Sequence, residues 1–362
     1  MTRIDWQSTA LCALLAGGGP CVLADAALQA PPGYTAPVKV KPMSDKPCAP
    51  GPAPFTGPLD FTSKYAGSGK TRDEINPQAE EAYRRSTESI TAMEKGFMRL
   101  VGRYMTGEER CALDWIDGWA QAHALEGEAS SHTGKSLRKW ALGSLSGSWL
   151  KLKFSSSMPL FNYPRQTARV EAWLGTLADQ VVREWSPGDP LEKINNHYYW
   201  AAWALMSTAV VTNRRDLFEQ SLTLFRIFER QIDADGYLPN ELARGKLAAN
   251  YHNYSMLPLA MIAAFGKANG IDLASESDHA LVRLALRAQQ SLDDPSSFQS
   301  KTGVAQEAPD ADSKTNWSWI EPYCWTVQCD ASLLAKRAAL RPIGTTRLGG
   351  DLTSVFPAAS TQ

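Results

Sequence analysis

The feature that most constrains this fold is a helix-length apolar run with polar and aromatic residues crowded at its start. Residues 204–211 are mostly apolar, and the preceding stretch, 193–203, carries two amides, an imidazole and four aromatic rings. A helix that is apolar on every face is buried, and polar groups at its end are held rigidly if they face a cavity, as a reaction centre requires. In the simpler alternative, Asn195 or Asn196 only caps the helix and His197 is a hydrogen-bonded core residue.

Helical patterns continue from residue 76 almost to the C terminus. Asn76 can cap a helix whose first residue is Pro77, and apolar residues then recur at three- and four-residue steps. The later predicted helices cover residues 111–125, 137–154, 167–185, 196–212, 216–232, 248–268, 276–291 and 332–340. Strand patterns are almost missing from the sequence, so we expect an all-α domain of antiparallel helix pairs.

These helices fall into two classes. Residues 196–212 and 257–265 are apolar on most faces, whereas residues 216–232 are clearly amphipathic. A helix that is apolar on all sides lies in the interior, whereas an amphipathic helix lies at the surface with one face toward the core. The sequence therefore predicts an inner layer of helices wrapped by an outer one.

The N-terminal 26 residues have the pattern of a secretory signal. Arg3 supplies a positive start, residues 10–16 are apolar, and residues 24–26 fit a small-x-small cleavage site. The apolar run is too short to span a bilayer. We therefore expect export to the periplasm without membrane insertion.

Two further segments complete the predicted organisation. Residues 27–75 form a proline-rich arm that ends in a glycine-bearing loop, 61–72, with three cations and a tyrosine. Such a loop suits a mobile cover over an anionic ligand as well as it suits an ordinary solvated loop. Residues 76–362 form the predicted helical domain.

Four cysteines remain after signal removal, namely Cys48, Cys111, Cys324 and Cys329. An even number in an exported chain suggests two disulfides. Cys324 and Cys329 are close enough for a small loop, and the other two would tie the N-terminal arm to the first helices. Zinc is disfavoured because no Cys-x-x-Cys spacing is present and no histidine lies nearby in the sequence.

Charge and motifs exclude several classes of function. The 37 basic and 38 acidic side chains nearly balance, so a charged partner must be met by a local patch, and we expect no nucleic-acid partner. Residues 134–136 are no phosphate loop, since Ala129 stands where that motif needs glycine. The five histidines show no pair at metal-ligand spacing, which predicts no metal and no cofactor. The Gly-x-Ser-x-Gly elbow of the usual esterases is also missing from the sequence.

Two groups of polar residues remain as candidates for chemistry. Asp233, Asp235 and Glu241 flank a turn at Gly236 and could serve as glycosidase acids, although carboxylates beside such a turn are usually solvated. Residues 251–254, Tyr-His-Asn-Tyr, form a second polar-aromatic cluster that leads into an apolar helix.

The second cluster has a charged residue close by. Arg244 stands seven residues before Tyr251, so on one helix the two would share a face. Two polar clusters, each at the start of a buried helix, can converge on one cavity.

Five blocks of this chain are similar to a known family: residues 63–65, 132–136, 138–143, 195–200 and 251–254. They resemble the periplasmic poly-mannuronate lyases, the alginate lyases of polysaccharide lyase family 5. The similarity runs over about residues 31–355. It implies an incomplete (α/α) toroid and cofactor-free β-elimination of mannuronate-rich alginate, an anionic polysaccharide, and we expect a monomer.

The resemblance also implies roles for individual residues. Asn196, His197 and Arg244 would neutralise the carboxylate of the sugar, and Tyr251 would exchange protons. In β-D-mannuronate the C5 hydrogen and O4 lie on one face, so one tyrosine can serve both, with Arg244 lowering its pKa. Older assignments in the family make the histidine the base, and the sequence leaves both open. The expected substrate-binding residues are Lys64, Tyr65, His132, Trp140 and Arg347.

One departure and two alternatives accompany this interpretation. Tyr198 stands beside the reactive histidine where relatives carry serine, which alters the surroundings of His197 but should leave the reaction intact. The first alternative is a glycoside hydrolase on a similar toroid that uses Asp235 and Glu241. The second is a non-catalytic polysaccharide-binding protein.

Overall fold

The structure, a computed structural model, describes residues 26–37, 47–65, 74–102 and 109–357. Residues 1–25 of the predicted signal and residues 66–72 of the glycine-bearing loop lie outside the described residues. Within them the chain forms α1 Pro77–Ser86, α2 Glu88–Gly102, α3 Glu109–Gln121, α4 His132–Lys153, α5 Pro164–Glu184, α6 Asn196–Thr212, α7 Arg215–Gln231, α8 Pro239–Leu242, α9 Ala248–Ala268, α10 Glu276–Asp293, α11 Ser296–Thr302, α12 Ile320–Thr326 and α13 Ala331–Leu340. Two short antiparallel strands, β1 Gly344–Thr345 and β2 Gly350–Asp351, follow.

The inner layer consists of α2, α4, α6, α9 and α12, each packed against the next. Helix α6 lies between α4 and α9, and every residue from Tyr198 to Val211 is buried. Trp200 and Trp203 are among the largest fully buried side chains of the described structure. The prediction of an inner layer built from helices that are apolar on most faces is confirmed.

The outer layer consists of α3, α5, α7 and α10, which also follow one another around the inner helices. Helix α7 is typical, because Leu217, Leu224 and Phe228 face the core while Glu219 and Arg230 are exposed. This one-sided burial is what the amphipathic pattern predicted. The all-α, two-layer prediction is therefore confirmed.

A C-terminal turn, Thr346–Leu348, packs against α2, α4 and α9. Gly349 ends this turn at a φ of +87°, and a Cβ there would lie 2.3 Å from the backbone of Gly147 in α4. Only glycine permits both the backbone angle and the close approach. The turn thereby brings Arg347 to the open end of the inner layer.

Two predicted helix positions are wrong. Helix α4 begins at His132, five residues before the predicted start, because the Ser131 side chain caps it by accepting from the backbone N–H of Gly134. Arg244 does not share a helix with Tyr251, since it lies between α8 and a 3₁₀ turn, Gly245–Leu247, that precedes α9. Gly245 has a φ of +58°, which interrupts the helix there.

Both predicted disulfides are present. Cys48–Cys111 joins the N-terminal arm to α3, and Cys324–Cys329 closes a small loop at the end of α12. The described parts of the arm lie on the helices, with Leu28, Tyr34 and Leu59 buried. In the part of the chain that the structure describes, no helix combines the length and the apolar character that crossing a bilayer demands.

Candidate active site

A cleft of about 840 Å³ opens where the first turns of α4, α6 and α9 meet. Eight of the nine expected site residues line it: Lys64, Tyr65, His132, Trp140, Asn196, His197, Tyr251 and Arg347. The ninth, Arg244, is 9% exposed and contacts the side chain of Tyr251. The structure thus brings together residues from five separate segments of the sequence. Among the described residues, no group of three or more His, Cys, Asp or Glu side chains is placed to hold a metal.

The start of α6 fixes the amide of Asn196. Asn195 is the N-cap, whose side chain accepts from the backbone N–H of His197, so the capping role falls to Asn195 and not to Asn196. The backbone N–H and the Nδ2 group of Asn196 both donate to Glu241, whose carboxyl group is completely buried. Asn196 itself is 1% exposed and borders the cleft.

The imidazole of His197 is held by polar contacts on one nitrogen and by rings on its faces. Its Nδ1 lies 2.9 Å from Lys139 Nζ and 3.1 Å from Ser136 Oγ, both on α4. The ring stacks on Trp185 with an interplanar angle of 5°, and the ring of His132 lies 4.6 Å away, edge to face. His197 is therefore a rigidly oriented cleft residue and not the hydrogen-bonded core residue of the simpler alternative.

Lys139 is an unusual partner for a histidine because it is completely buried. Its Nζ lies 3.5 Å from the centre of the Trp185 ring and 4.9 Å from that of Trp140. Burial lowers the pKa of Lys139 well below its ordinary value, and the nearby Arg347 cation lowers it further. Two nitrogens at 2.9 Å must share a hydrogen, so Lys139 fixes how His197 presents its other nitrogen to the cleft.

Tyr251 lines the cleft and is held by Arg244. Arg244 Nη2 donates to Tyr251 Oη at 2.9 Å, and the guanidinium lies 3.7 Å from the centre of the phenol ring. Because an arginine N–H can only donate, the phenol oxygen accepts this bond. The hydrogen of the phenol is then left for another acceptor.

The pKa of Tyr251 departs from the expectation. Burial raises this pKa above its ordinary value, and the Tyr65 hydroxyl adds to the rise, whereas the Arg244 cation lowers it. Burial outweighs the arginine, so the expected net lowering is wrong. Tyr251 consequently carries its proton at neutral pH.

The segment 63–65 closes one edge of the cleft. Tyr65 Oη lies 3.4 Å from Tyr251 Oη, and Lys64 Nζ lies 3.7 Å from a carboxylate oxygen of Glu80 on α1. An isolated antiparallel bridge joins Tyr65 to Ile75. The part of the glycine-bearing loop that the structure describes therefore reaches the tyrosine expected to exchange protons.

Trp140 and Arg347 form the other edge. The Arg347 guanidinium lies 4.2 Å from the centre of the Trp140 ring, and both side chains line the cleft. Arg347 Nη1 is buried and has no hydrogen-bond partner among the described residues. A buried donor of this kind is suited to an anionic group of a bound ligand.

The pair of acids expected in a glycoside hydrolase is not assembled. Asp235 lies on the surface, where its carboxylate pairs with Lys301 Nζ at 2.8 Å. Glu241 is fully buried against Asn196, and neither acid borders the cleft. The interpretation of these two residues as catalytic acids is wrong, because they face different surroundings.

Tyr198 affects His197 through an intermediate ring. The Tyr198 hydroxyl donates to Asp189 Oδ2 at 2.6 Å, and its ring meets Trp185 edge to face at 5.2 Å. Trp185 in turn stacks on the imidazole of His197. The predicted influence of Tyr198 on the surroundings of His197 therefore passes through Trp185.

The residues that sequence reasoning missed at this site include Ser136 and Lys139 as partners of His197, Glu241 as a partner of Asn196, and Tyr254. Tyr254 could have been found from helical spacing, since it stands three residues after Tyr251 and lines the cleft on the same face. The two residues between them, His252 and Asn253, face the core instead. Lys139 and Glu241, which are buried behind the cleft, could not be found from the local sequence pattern.

Curated relatives match nearly the whole chain. An alginate lyase of Pseudomonas aeruginosa is 48% identical over 330 residues, which is 90% of each chain. An alginate lyase of Pseudomonas putida is 46% identical and covers 98% of this chain and 97% of its own. Another from Azotobacter vinelandii is 46% identical and covers 92% of this chain and 90% of its own.

Solved structures share the architecture. Alginate lyase A1-III from Sphingomonas species A1 matches with a TM-score of 0.69 and 22% identity, covering 86% of each chain. A variant of alginate lyase A1-III complexed with a tetrasaccharide matches with a TM-score of 0.71, also at 22% identity and 86% coverage of each chain. At this identity the likeness concerns the fold, and it confirms the incomplete (α/α) toroid.

A family model described as alginate lyase matches residues 60–298, about two thirds of the chain. Together with near half identity to curated relatives over nine tenths of the chain, this match confirms the resemblance found in the sequence. The protein belongs to the alginate lyase family, polysaccharide lyase family 5.

Proposed function

We propose that this protein cleaves mannuronate-rich alginate by β-elimination and leaves oligosaccharides with 4,5-unsaturated non-reducing ends. The observation that carries the proposal is a phenol hydroxyl, Tyr251 Oη, held by Arg244 in the same cleft as Asn196 and His197. Family membership supports the reaction class. The residue roles below are argued from chemistry and contacts.

The substrate sets the first requirement. Elimination removes the C5 proton of a uronate, and this proton is weakly acidic while the adjacent carboxylate is charged. Fixed donors around that carboxylate stabilise the negative charge that develops in the transition state, usually the largest single contribution in such sites. We assign this role to Asn196, His197 and Arg244.

Tyr251 performs the proton exchange in this proposal. Its oxygen accepts the C5 proton while its own hydrogen passes to O4. The C5–H and C4–O4 bonds break, and the C4–C5 double bond forms. The phenol is regenerated in the same step, so its raised pKa is no obstacle, and both transfers take place on the one face that carries the C5 hydrogen and O4 in β-D-mannuronate.

His197 then acts as an oriented donor or acceptor and not as the base. Its Nδ1 is held by Lys139 and Ser136 on α4, which fix the orientation of the imidazole. A group that is fixed by stacking on Trp185 is well suited to hold a carboxylate in one position.

The remaining cleft residues are assigned to substrate binding. Lys64 and Arg347 supply positive charge at opposite edges, Trp140 offers an aromatic face to a sugar ring, and Tyr65 and His132 supply polar contacts beside the reacting residues. Charge-assisted contacts of this type position an anionic polymer.

Export to the periplasm is part of the proposal. The N-terminal signal pattern motivates it, and the two disulfides support it, because such bonds persist in oxidising compartments. We further propose that the protein acts as a monomer and uses no metal or other cofactor.

One experiment tests the function. Purified mature protein is incubated with polymannuronate and with polyguluronate, both with a chelator present. We expect ultraviolet absorbance from the conjugated double bond and shorter products on polymannuronate, with less on polyguluronate. Shortening of the polymer without new absorbance would indicate hydrolysis, and binding without shortening would indicate a non-catalytic polysaccharide-binding protein.

A further inference from the structure

Glu241 on α8 is a buried titratable group that the mechanism above leaves unused. Its side chain is 0% exposed. Its Oε1 lies 2.6 Å from the backbone nitrogen of Asn196 and 3.0 Å from Nδ2, and its Oε2 lies 3.1 Å from the same Nδ2. Every hydrogen-bond donor that reaches this carboxyl group among the described contacts thus comes from Asn196, a residue of the cleft.

These contacts determine which end of the Asn196 amide faces the cleft. An ionised carboxylate has no hydrogen to donate, so it holds Nδ2 and turns Oδ1 away. Asn196 Oδ1 is buried and has no hydrogen-bond partner among the described residues. With Glu241 ionised, the end of the Asn196 amide that Glu241 does not hold is therefore an acceptor, which repels a carboxylate.

Neutralising the carboxylate of a uronate requires the opposite orientation. If Glu241 is protonated, its O–H can donate to Asn196 Oδ1 while its other oxygen still accepts from the backbone N–H. A half turn of the amide about its Cβ–Cγ bond achieves this without a shift of the backbone. The Nδ2 group then faces the cleft as a donor.

We infer that Glu241 is the positioning residue of the Asn196 amide, and that its protonation state sets whether the cleft meets the oxygen or the N–H end. The inference rests on the proposed function, because it gives Asn196 the task of holding a sugar carboxylate. It adds that the enzyme takes up one proton at Glu241 when an anionic sugar binds.

The surroundings of Glu241 place the change in its protonation state near neutral pH. Burial raises the pKa of Glu241 to about 7, while the hydrogen bonds from Asn196 and the Arg244 cation oppose the rise. The other titratable neighbours are Tyr199 on α6 and, on α9, His252 beside Tyr251. Burial raises the pKa of Tyr199, and it lowers the pKa of His252 to about 4, so neither changes charge near neutrality.

The direction of the effect follows from these values. Below about pH 7 Glu241 is protonated, and the N–H end of Asn196 faces the cleft. Above that pH the ionised Glu241 holds Nδ2 of Asn196. Glu241 must then take up a proton before Nδ2 can donate to a bound sugar carboxylate. KM for polymannuronate should therefore rise with pH above neutrality, by at most about tenfold per pH unit because one proton is linked, while kcat changes less.

The first test compares Glu241→Gln with the wild type and with Glu229→Gln. Glutamine keeps the shape of Glu241 and permanently carries the donor of the protonated form. Glu229 on α7 is a matched control, since burial raises its pKa to about 7 as well, but it lies in the outer layer. We expect KM of Glu241→Gln to stay flat from about pH 6 to about pH 8, and KM of Glu229→Gln to rise as in the wild type. A rise in Glu241→Gln equal to that of the wild type, or a flat wild-type profile, overturns the inference.

A second measurement does not depend on the folding of Glu241→Gln or on lyase turnover. Wild-type protein with ¹⁵N-labelled asparagine is titrated over the same pH range, and the Asn196 side-chain signal is assigned with Asn196→Ala. We expect this signal to shift with a midpoint near neutrality, and an unmoved signal contradicts the inference. If no pH yields unsaturated products, the proposed function fails, and this titration still decides the role of Glu241.

Discussion

The two walls of the cleft are built in different ways. We call one the α6 wall; it comprises Ser136, Lys139, Trp185, Asn196, His197 and Glu241. We call the other the α9 wall; it comprises Tyr65, Arg244 and Tyr251. In the α6 wall each polar group that faces the cleft is backed by a buried group from a different helix. In the α9 wall the contacts join the segment 63–65 and the turn before α9 to one phenol.

This difference teaches how the site divides its tasks. Groups whose positions are fixed by buried partners are suited to stabilising the charge that develops on a bound carboxylate. The phenol oxygen of Tyr251 accepts from Arg244, and among the described residues its hydrogen has at most the long contact of 3.4 Å with Tyr65 Oη, so the hydrogen can be transferred. We expect variants of the α9 wall to act mainly on kcat and variants of the α6 wall to act on binding and orientation.

The largest expected effect is that of Tyr251→Phe. Removing the hydroxyl removes the proposed proton donor and acceptor together, so kcat on polymannuronate should fall by roughly 10²- to 10⁴-fold, with KM changed much less. Initial rates of ultraviolet absorbance measure this. Tyr34→Phe is the control, because Tyr34 is a buried tyrosine whose hydroxyl lies away from the cleft, and its kcat should equal that of the wild type. Turnover of Tyr251→Phe at the wild-type rate would remove Tyr251 from the chemistry.

Arg244→Lys ranks next. Lysine keeps the charge but loses the planar fork that donates to Tyr251 while covering its ring. We expect kcat to fall by about 10²-fold, the size seen when one fixed donor to a developing charge is lost. Arg214→Lys, which alters an arginine paired with Asp179 on the outer layer, should leave turnover intact. Equal losses in both variants would mean that lysine merely destabilises the protein.

The sequence predicted the inner helices and the polar clusters at their starts, because the apolar residues recur with helical periodicity. The runs 196–212 and 257–265 are apolar on most faces, which located the inner helices and the polar clusters at their starts. Helix starts were less certain, because α4 begins where Ser131 supplies a cap and not where its apolar pattern becomes clear. Because the predicted helix began at residue 137, Ser136 was not recognised as a partner of His197.

The backing of the α6 wall could not be predicted, because it depends on contacts between distant parts of the chain. Lys139 meets His197 across 58 residues, and Glu241 meets Asn196 across 45. A lysine in a helical pattern normally indicates a solvated face, and a glutamate near a glycine turn normally indicates a surface. Only the curvature of the two helix layers places these charges behind the cleft. The same limit applied to Arg244, which reaches Tyr251 from a turn and not along a shared helix.

Lys139→Met tests the backing of the α6 wall and should have a moderate effect. Methionine fills the buried space but cannot hold Nδ1 of His197, so we expect kcat/KM to fall about tenfold as the imidazole loses its fixed orientation. Because burial lowers the pKa of Lys139, folding opposes its protonation at neutral pH, and methionine removes that cost. The thermal midpoint should therefore be no lower than that of the wild type.

The control for this variant lies on the same helix. Lys151 is also buried, and its Nζ donates to the carbonyl oxygen of Asp351 at 2.6 Å, away from His197. Lys151→Met, which also replaces a buried lysine of α4, should leave kcat/KM near the wild-type value. If Lys139→Met loses stability but keeps its activity, Lys139 is a structural residue and the α6 wall does not depend on it.

Tyr65→Phe should give the smallest effect and locates the boundary of the α9 wall. The contact between the hydroxyls of Tyr65 and Tyr251 is long, at 3.4 Å, so its loss should cost about 1 kcal/mol, or about fivefold in kcat. A drop as large as that of Tyr251→Phe would show that the segment 63–65 takes part in the proton transfer itself, and the division of tasks between the two walls would then have to include it.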